Sequence, residues 1–272
     1  MPVIRRDART VIQYEDRGEG PPLLLLHGWA MSRRVWAFQR ELASGFRVIA
    51  PDLRGHGDST ASGSFGLTDL AEDVAYLCHA LKLQDTVIAG WSLGAQVALK
   101  SISLLRDREA GLVLVGATPR FTSSTDYDAG LSGREVRGLE ARLKRDYTRT
   151  MGEFFRRMFS PGELSREQEN RIARDIVMGS RQPALPVAQA GLAILEQEDL
   201  RDILPCVECP VLLLHGDSDT ICPPAAAHYM ASHLPDARLM MLPGAGHAPF
   251  LSRPEEFNRI LREYLQEIHG SH

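Results

Sequence analysis

An α/β protein with a mostly parallel sheet is the fold class that the sequence predicts, and two patterns indicate it. Short, largely apolar runs recur along the chain, at residues 23–26, 47–50, 86–89, 112–115, 211–214 and 239–242. Runs of this length and composition are typical of strands buried on both faces. Segments with helical periodicity separate them, and this alternation indicates βαβ units in which helices cover both faces of a parallel sheet.

The first half of the chain supplies most of these units. Residues 3–12 are expected to form a short hairpin or edge strand, and residues 35–42 have helical periodicity. A glycine-rich loop, residues 51–59, follows the second buried strand. The clearest amphipathic helix covers residues 67–81, where apolar side chains recur at spacings of three and four.

The alternation stops between residues 118 and 200, where the sequence contains no further buried strand. Charged segments with helical character occupy this stretch, at residues 134–149, 151–159, 164–179 and 184–197. The pattern resumes at residue 211 and ends in a helix that a capping box at Ser252 and Glu255 is predicted to open. We therefore predict an α/β core made of residues 1–117 and 201–272, with a helical lid inserted at residues 118–200.

The composition is that of an ordinary globular chain. Of its 272 residues, 44% are hydrophobic and 24% charged, and the net charge of −4 gives no reason to expect nucleic-acid binding. No run approaches the ~20 apolar residues of a membrane span, and the first residues lack the apolar stretch of a signal peptide, so we expect a cytoplasmic protein. Cys206 and Cys209 form a lone C-x-x-C pair, expected to be reduced thiols; no metal or cofactor is predicted.

The strand at 86–89 runs into the sequence Gly-Trp-Ser-Leu-Gly at residues 90–94, and a helical pattern begins at Leu93. A strand that ends in Gly-x-Ser-x-Gly and turns directly into a helix is a nucleophile elbow. Side chains at Gly90 and Gly94 would clash in so sharp a turn, which explains both glycines. Ser92 is therefore the candidate nucleophile, with its hydroxyl exposed on a strained turn.

A serine nucleophile needs a base and a group that orients the base. Asp219 and His247 each lie in a loop just after a predicted strand, and in a parallel sheet such loops meet at one edge. The chain order Ser92, Asp219, His247 is that of α/β-hydrolases. Asp217 competes with Asp219 for the orienting role, but its place beside Gly216 is more typical of a turn residue, so we favour Asp219.

An oxyanion formed at Ser92 would need two N–H donors. The backbone of Leu93 supplies one at the start of the helix, and the loop containing Trp29 is placed to supply the other. The indole ring of Trp29 could in addition cover an acyl group, although a tryptophan of the core would fit the sequence equally well.

The predicted lid has two faces of different chemistry. A helical wheel places Phe154, Phe155, Met158 and Phe159 on one face, which could line an acyl pocket or form the lid's own core. Basic side chains lie opposite, at Arg142, Arg145, Arg149 and Arg156. Residues 134–181 contain twelve Arg or Lys against eight Asp or Glu, whereas the whole chain is acidic. A basic lid on an acidic body favours an acidic partner, and an ordinary solvated face remains the alternative.

These motifs resemble those of the α/β-hydrolase fold family over essentially the whole chain. The matching residues are His27 and Gly28, residues 51–59, residues 90–94, residues 216–219 with Pro223, and Gly246 with His247. The resemblance implies an α/β-hydrolase fold, with Ser92 as nucleophile, Asp219 and His247 as its partners, and Trp29 and Leu93 at the oxyanion.

Within the family the chain resembles the pimeloyl-[acyl-carrier-protein] methyl ester esterases of biotin synthesis. The shared segments are residues 27–29, 90–94, 149–154, 191–195, 199–201 and 246–250. This resemblance implies a monomeric serine carboxylesterase without a cofactor, which releases methanol from a pimeloyl chain carried by acyl carrier protein. It also implies that Phe154 and Met158 contact the acyl chain. The residues implied to bind the acidic carrier are Arg142, Arg145, Arg149, Arg156 and Arg157.

Other functions of the same fold stay open at this point. They are a broad short-chain esterase or perhydrolase without a carrier, a C–C bond hydrolase, and a slowly hydrolysing ligand receptor. Haloalkane dehalogenases and epoxide hydrolases are disfavoured, because they have Asp where this chain has Ser92.

Overall fold

An eight-stranded sheet forms the centre of the computed structural model, which describes residues 2–60, 63, 65–105, 108–177, 179 and 181–270. The strands are β1 (Val3–Arg5), β2 (Val11–Arg17), β3 (Pro22–Leu26), β4 (Arg47–Pro51), β5 (Thr86–Trp91), β6 (Glu109–Val115), β7 (Val211–Gly216) and β8 (Ala237–Leu242). Their spatial order is β1-β2-β4-β3-β5-β6-β7-β8. β1 and β2 pair antiparallel with each other, β2 pairs antiparallel with β4, and every other neighbouring pair is parallel. The carboxyl ends of the parallel strands therefore share one edge.

Helices connect the strands and cover the sheet. They are α1 (Leu67–Ala80), α2 (Leu93–Ser101), α3 (Gly133–Arg145), α4 (Tyr147–Arg157), α5 (Arg166–Ile172), α6 (Leu185–Gln197), α7 (Pro224–His233), α8 (Pro249–Ser252) and α9 (Pro254–Gly270), together with short 3₁₀ helices at Arg33–Ser44, Ile102–Leu104 and Arg201–Cys206 and a π-helical turn at Ala173–Val177. Among the helices described, none has both the length and the apolar character needed to cross a bilayer.

The apolar runs become buried strands, as the sequence predicts, except at one edge. The four leucines of β3, Leu23 to Leu26, are fully buried, and β5 and β7 are buried along their whole length. The predicted strand at residues 239–242 is present as β8, but only Leu242 in it is buried. The reason is position, because β8 is the last strand of the sheet and pairs only with β7.

The helical insertion, defined here as residues 118–200, lies between β6 and β7 and contains α3 to α6. The predicted helix at 134–149 is in fact interrupted at Asp146. The Asp146 carboxylate accepts a hydrogen bond of 3.0 Å from the backbone N–H of Arg149, and so caps the start of α4. α3 and α4 are therefore separate helices, and Gly152 lies inside α4 without breaking it.

The predicted capping box at the start of the last helix is also wrong. Ser252 is the final residue of α8, and α9 begins two residues later at Pro254. The Ser252 hydroxyl instead donates to a carboxylate oxygen of Glu163 in the helical insertion. The side chain that the local sequence predicts to cap a helix thus forms a hydrogen bond with a residue far away in the chain.

Candidate active site

Ser92 occupies the sharp turn between β5 and α2, as the nucleophile elbow predicts. Its backbone has φ 56° and ψ −117°, a region that non-glycine residues rarely adopt. A Cβ atom on Gly90 would overlap the Gly94 carbonyl, and one on Gly94 would overlap the Leu26 carbonyl. The two glycines therefore allow the close approach of strand and helix that holds Ser92 in this conformation.

Asp219 and His247 form a buried pair at the same edge of the sheet. His247 Nδ1 lies 2.7 Å from Asp219 Oδ2, and both residues are almost completely buried. The other carboxylate oxygen, Oδ1, accepts hydrogen bonds from the backbone N–H groups of Ile221 (2.8 Å) and Cys222 (2.9 Å). Both oxygens of Asp219 thus accept hydrogen bonds, and these bonds fix the orientation of the carboxylate relative to the His247 ring.

The electrostatics of this pair favour an ionised Asp219. Burial alone would raise the pKa of the Asp219 carboxyl, but the charge of His247 and its hydrogen bond, together with His215 and the Cys222 N–H, lower the pKa overall. An acceptor-only carboxylate requires that His247 donate from Nδ1. The Nε2 atom is then the basic nitrogen of the ring.

Asp217, the competing candidate, has a different role. It is exposed, and its Oδ1 atom accepts a 2.7 Å hydrogen bond from the backbone N–H of Gly244. Gly244 belongs to the loop at residues 243–248 that carries His247, called the histidine loop below. The structure therefore pairs Asp219, rather than Asp217, with His247.

Contacts around the ring bring His247 to the end of the strand that carries Ser92. The indole N–H of Trp91 donates to the His247 carbonyl at 2.9 Å, and the two rings lie 5.4 Å apart. Within the described residues, His247 Nε2 has no hydrogen-bond partner, so it is not hydrogen-bonded to the Ser92 hydroxyl here. Such catalytic bonds often form only when substrate is bound. The arrangement allows Nε2 to accept the proton of an attacking serine.

Two backbone N–H groups are available beside Ser92. Among the described residues, neither Trp29 N–H nor Leu93 N–H donates to a protein acceptor. The Gly28 carbonyl accepts from His27 Nδ1 (2.9 Å) and from Met31 N–H (3.3 Å), so it is held in place. In a trans peptide the Trp29 N–H points away from that carbonyl, and a Cβ on Gly28 would lie only 3.2 Å from the Ser92 Cβ. The loop that carries this free N–H therefore passes close to the Ser92 side chain at Gly28.

The indole ring of Trp29 joins this loop to the helical insertion. Its Nε1–H donates to the Ala188 carbonyl of α6 at 2.8 Å, and the ring of Phe154 packs against it edge-on at 4.9 Å. A Cβ on Gly191 would come within 2.8 Å of the ring. Trp29 is thus buried between its own loop and the insertion, as a core tryptophan would be, and its role in covering an acyl group stays a prediction.

A cavity of about 210 Å³ is lined by residues of the helical insertion, with Ile221 as its one lining residue from the core. Its apolar wall consists of Phe121, Leu131, Leu139, Phe154 and Ile221. Phe154, which lines the cavity, also packs against the ring of Trp29, and Ile221 lies two residues after Asp219. Ser92 itself does not line the cavity. Met158 is fully buried and is not among the residues that line the cavity, so its contact with an acyl chain stays a prediction.

The predicted carrier-binding arginines fall into two groups. Arg149 is paired with Glu153 at 2.9 Å, and Arg157 donates to the Thr220 carbonyl at 2.5 Å, so both have partners within the protein. In the part of the chain that the structure describes, Arg142, Arg145 and Arg156 are exposed and have no ion-pair or hydrogen-bond partner. Arg142 also lines the cavity.

Sequence reasoning assigned no role to three residues around the site, although His27 is part of the motif that carries the family resemblance. His27 holds the Gly28 carbonyl, His215 lies 3.4 Å from Asp219 Oδ2, and Glu163 contacts the histidine loop. His27 and His215 each follow directly on a buried strand run, which is a usable signal. Nothing local distinguishes Glu163 from the other acidic residues of the insertion.

Two buried histidines below the oxyanion loop predict how stability depends on pH. Burial, with a smaller contribution from the charge of Arg33, lowers the pKa of His27 to about 4, although its bond to the Gly28 carbonyl acts in the opposite direction. Burial, with a smaller contribution from His27, likewise lowers the pKa of His56 to about 3. The unfolded chain, with histidine pKa values near 6.5, binds more protons than the folded chain between pH 6.5 and 4. The free energy of unfolding should therefore fall as the pH is lowered through this range.

We expect His56→Gln to reduce this pH dependence. The variant removes one differential proton, so the slope of unfolding free energy against pH between 6 and 4.5 should decrease by up to ~1.4 kcal/mol per pH unit. Urea unfolding at a series of pH values measures the slope. His228→Gln is the matched control, because His228 is exposed on α7. Equal slopes for wild type and His56→Gln would contradict the prediction.

The chain belongs to the alpha/beta hydrolase family, whose family model matches residues 23–260. Its curated relatives include the pimeloyl-[acyl-carrier protein] methyl ester esterase of Nitrosomonas europaea, 40% identical over 90% of this chain and 96% of the relative. The esterase of the same name from Yersinia enterocolitica is 32% identical over 92% of this chain and 95% of its own length.

Solved structures agree with this family. An esterase from Exiguobacterium antarcticum has a TM-score of 0.88 and 29% identity, and covers 94% of this chain and 96% of its own. A thermophilic esterase from Thermogutta terrifontis has a TM-score of 0.82 and 32% identity, with coverage of 98% and 97%. The predicted α/β-hydrolase fold is confirmed.

Proposed function

We propose that this chain is a serine carboxylesterase that hydrolyses the methyl ester of pimeloyl-[acyl-carrier protein] to pimeloyl-[acyl-carrier protein] and methanol, in biotin synthesis. The observation that carries the proposal is the end-to-end similarity to enzymes of that name, at 40% and 32% identity. The cavity beside Trp29, with its apolar wall and an unpaired arginine, supports the same substrate.

The proposed chemistry uses the site residues as follows. The Ser92 hydroxyl attacks the ester carbonyl and passes its proton to His247 Nε2, while Asp219 keeps the imidazole in the required tautomer. The Trp29 and Leu93 N–H groups stabilise the oxyanion. His247 then protonates the leaving methoxide, methanol departs, and water deacylates Ser92 with His247 again acting as base.

The cavity supports binding of a long acyl chain. Its five apolar residues provide a wall along which methylene groups can be buried, at about 0.8 kcal/mol for each. Phe154 lies at the inner end, against Trp29, and Arg142 provides a positive charge on the same wall. In our proposal the pimeloyl chain extends from Ser92 past Phe154, and Arg142 faces the phosphate of the phosphopantetheine arm.

Carrier docking would fall to the arginines that have no partner within the described protein. Arg142, Arg145 and Arg156 can bind an acidic helix without first breaking an internal bond, whereas Arg149 and Arg157 are already engaged. We therefore assign the stronger carrier contacts to the first three. This narrows the set of five that the sequence resemblance implies.

The deciding measurement is hydrolysis of pimeloyl methyl ester on acyl carrier protein against free methyl pimelate. We expect kcat/KM to be at least about tenfold higher for the carrier-bound ester, since electrostatic attraction between a basic surface and an acidic partner raises association rates by 10-fold or more. Arg145→Glu with Arg156→Glu, two residues outside the cavity lining, should remove most of that advantage and leave turnover of p-nitrophenyl butyrate unchanged.

A matched control carries the same change in net charge elsewhere. Arg238→Glu with Arg259→Glu reverses two exposed arginines on β8 and α9, away from the insertion, and should leave both activities unchanged. Equal activity on carrier-bound and free esters would instead favour a broad carboxylesterase without a carrier, in keeping with the esterases among the similar structures. Failure to restore growth of a biotin auxotroph lacking the esterase would also count against the carrier-bound substrate.

A further inference from the structure

The helical insertion is bonded directly to the loop that carries His247. The backbone N–H of His247 donates to the Met158 carbonyl at 2.7 Å, and the Ser160 hydroxyl donates to the Gly244 carbonyl at 2.7 Å. A Cβ on Gly246 would lie 2.5 Å from the Met158 carbonyl, which shows how closely the two segments approach. The segment that follows α4 is thus in contact with the whole histidine loop.

Glu163 is the side chain at the centre of this contact. Its Oε2 atom accepts hydrogen bonds from the backbone N–H groups of Ser160 (2.7 Å) and Gly246 (2.8 Å). Its Oε1 atom accepts from the Ser252 hydroxyl at the end of α8. One half-buried carboxylate therefore joins the insertion to the residues on both sides of His247.

These bonds bear on the position of the catalytic base. His247 is the next residue after Gly246, so the backbone that Glu163 binds at the Gly246 N–H is the backbone that carries the imidazole. Without Glu163, the N–H groups of Ser160 and Gly246 would lose their acceptor in a partly buried place, which favours a shift of the loop. A displacement of about 1 Å in a catalytic group can lower the rate about 10²-fold.

We propose that Glu163 is a positioning residue for His247: it acts on the base through the Gly246 peptide and does not contact the substrate. The inference rests on the proposed ester hydrolysis at Ser92. It assigns to the insertion a part in the chemical step, in addition to its part in binding. The histidine loop would then reach its active geometry only when the segment 158–163 is in place.

The test compares two substitutions of Glu163 in the full chain, with p-nitrophenyl butyrate as substrate. Glu163→Ala should lower kcat about tenfold to a hundredfold and change KM less than about twofold, because the base is displaced and the acyl wall is intact. Glu163→Gln should restore at least about half of the wild-type kcat. Its carbonyl oxygen can accept from Ser160 and Gly246, and its amide group can donate to Ser252. Glu167→Ala, in the exposed first turn of α5, is the control.

Several outcomes would overturn the proposal. These are an unchanged kcat in Glu163→Ala, an equal loss in the alanine and glutamine variants, or a loss confined to KM. If Glu163→Ala does not fold, Glu163→Asp takes its place, since its shorter carboxylate cannot reach Gly246 and Ser252 together; a wild-type kcat in that variant would contradict the role. Turnover by the wild-type protein in the same assay tests ester hydrolysis itself, so the two failures are distinguishable.

Discussion

Ser92→Ala should reduce kcat for p-nitrophenyl butyrate by about 10⁶-fold, to the level of the residual turnover that binding and oxyanion stabilisation provide. The reason is chemical, because alanine has no oxygen with which to form the acyl-enzyme. The elbow itself should persist, since Gly90, Gly94 and the 3.0 Å bond from the residue 92 N–H to the Val115 carbonyl do not involve the hydroxyl. The fall in kcat would therefore result from the missing nucleophile, and the fold would be unchanged.

Initial-rate measurement and labelling with a fluorophosphonate check this result together. Ser103→Ala is the matched control, because Ser103 is an exposed serine shortly after α2 and its loss should change neither rate nor labelling. Turnover by purified Ser92→Ala within about tenfold of wild type would refute the proposed mechanism. Labelling that persists in this variant would point to another nucleophile.

Asp219→Asn should lower kcat about 10⁴-fold, through the tautomer of His247. The side-chain amide has one acceptor, and the N–H groups of Ile221 and Cys222 both point at the position of Oδ1, so the oxygen must stay there. The amide NH₂ is then placed 2.7 Å from His247 Nδ1, where it can only donate. His247 would be forced to carry its proton on Nε2, and could no longer accept one from Ser92.

Asp217→Asn separates this effect from a general loss of charge in the same loop. Asp217 is exposed and uses one oxygen to accept from Gly244 N–H, a bond that asparagine can keep, so kcat should stay within about twofold of wild type. The kcat values of the two variants on the same ester provide the comparison. Equal losses at positions 217 and 219 would contradict the assignment of the orienting carboxylate.

The sequence predicts best those parts of the fold in which the local surroundings allow only one type of residue. The leucines of β3 are apolar without interruption because helices cover both faces of the sheet, and the glycines around Ser92 are required by the turn itself. Ser92, Asp219 and His247 can each be recognised at the end of a predicted strand from the neighbouring sequence. The general geometry of parallel sheets then predicts that the three residues share one edge. Asp219 could be preferred to Asp217 on such grounds, and the structure pairs it with His247.

The parts that sequence predicts poorly depend on partners far away in the chain. Ser252 has the spacing of a capping box, but its hydroxyl meets Glu163, 89 residues away. Met158 shares a predicted helical face with Phe154, yet only Phe154 lines the cavity, whereas Met158 is fully buried in the main core cluster. Helical periodicity predicts which face of a helix a side chain lies on, but it does not predict what that face of the helix packs against.

The anchoring of Trp29 has a consequence for how substrate reaches Ser92. The ring is bonded to α6 and packs against Phe154, and the backbone N–H of Trp29 is the proposed oxyanion donor. A movement of the whole insertion away from the core would therefore displace that donor. We expect the helical insertion to stay packed on the core during catalysis, so that the substrate enters through the cavity and the insertion does not open. The acyl chain would enter lengthwise through the cavity mouth near Arg142, which favours a slender linear ester over a branched one of equal size.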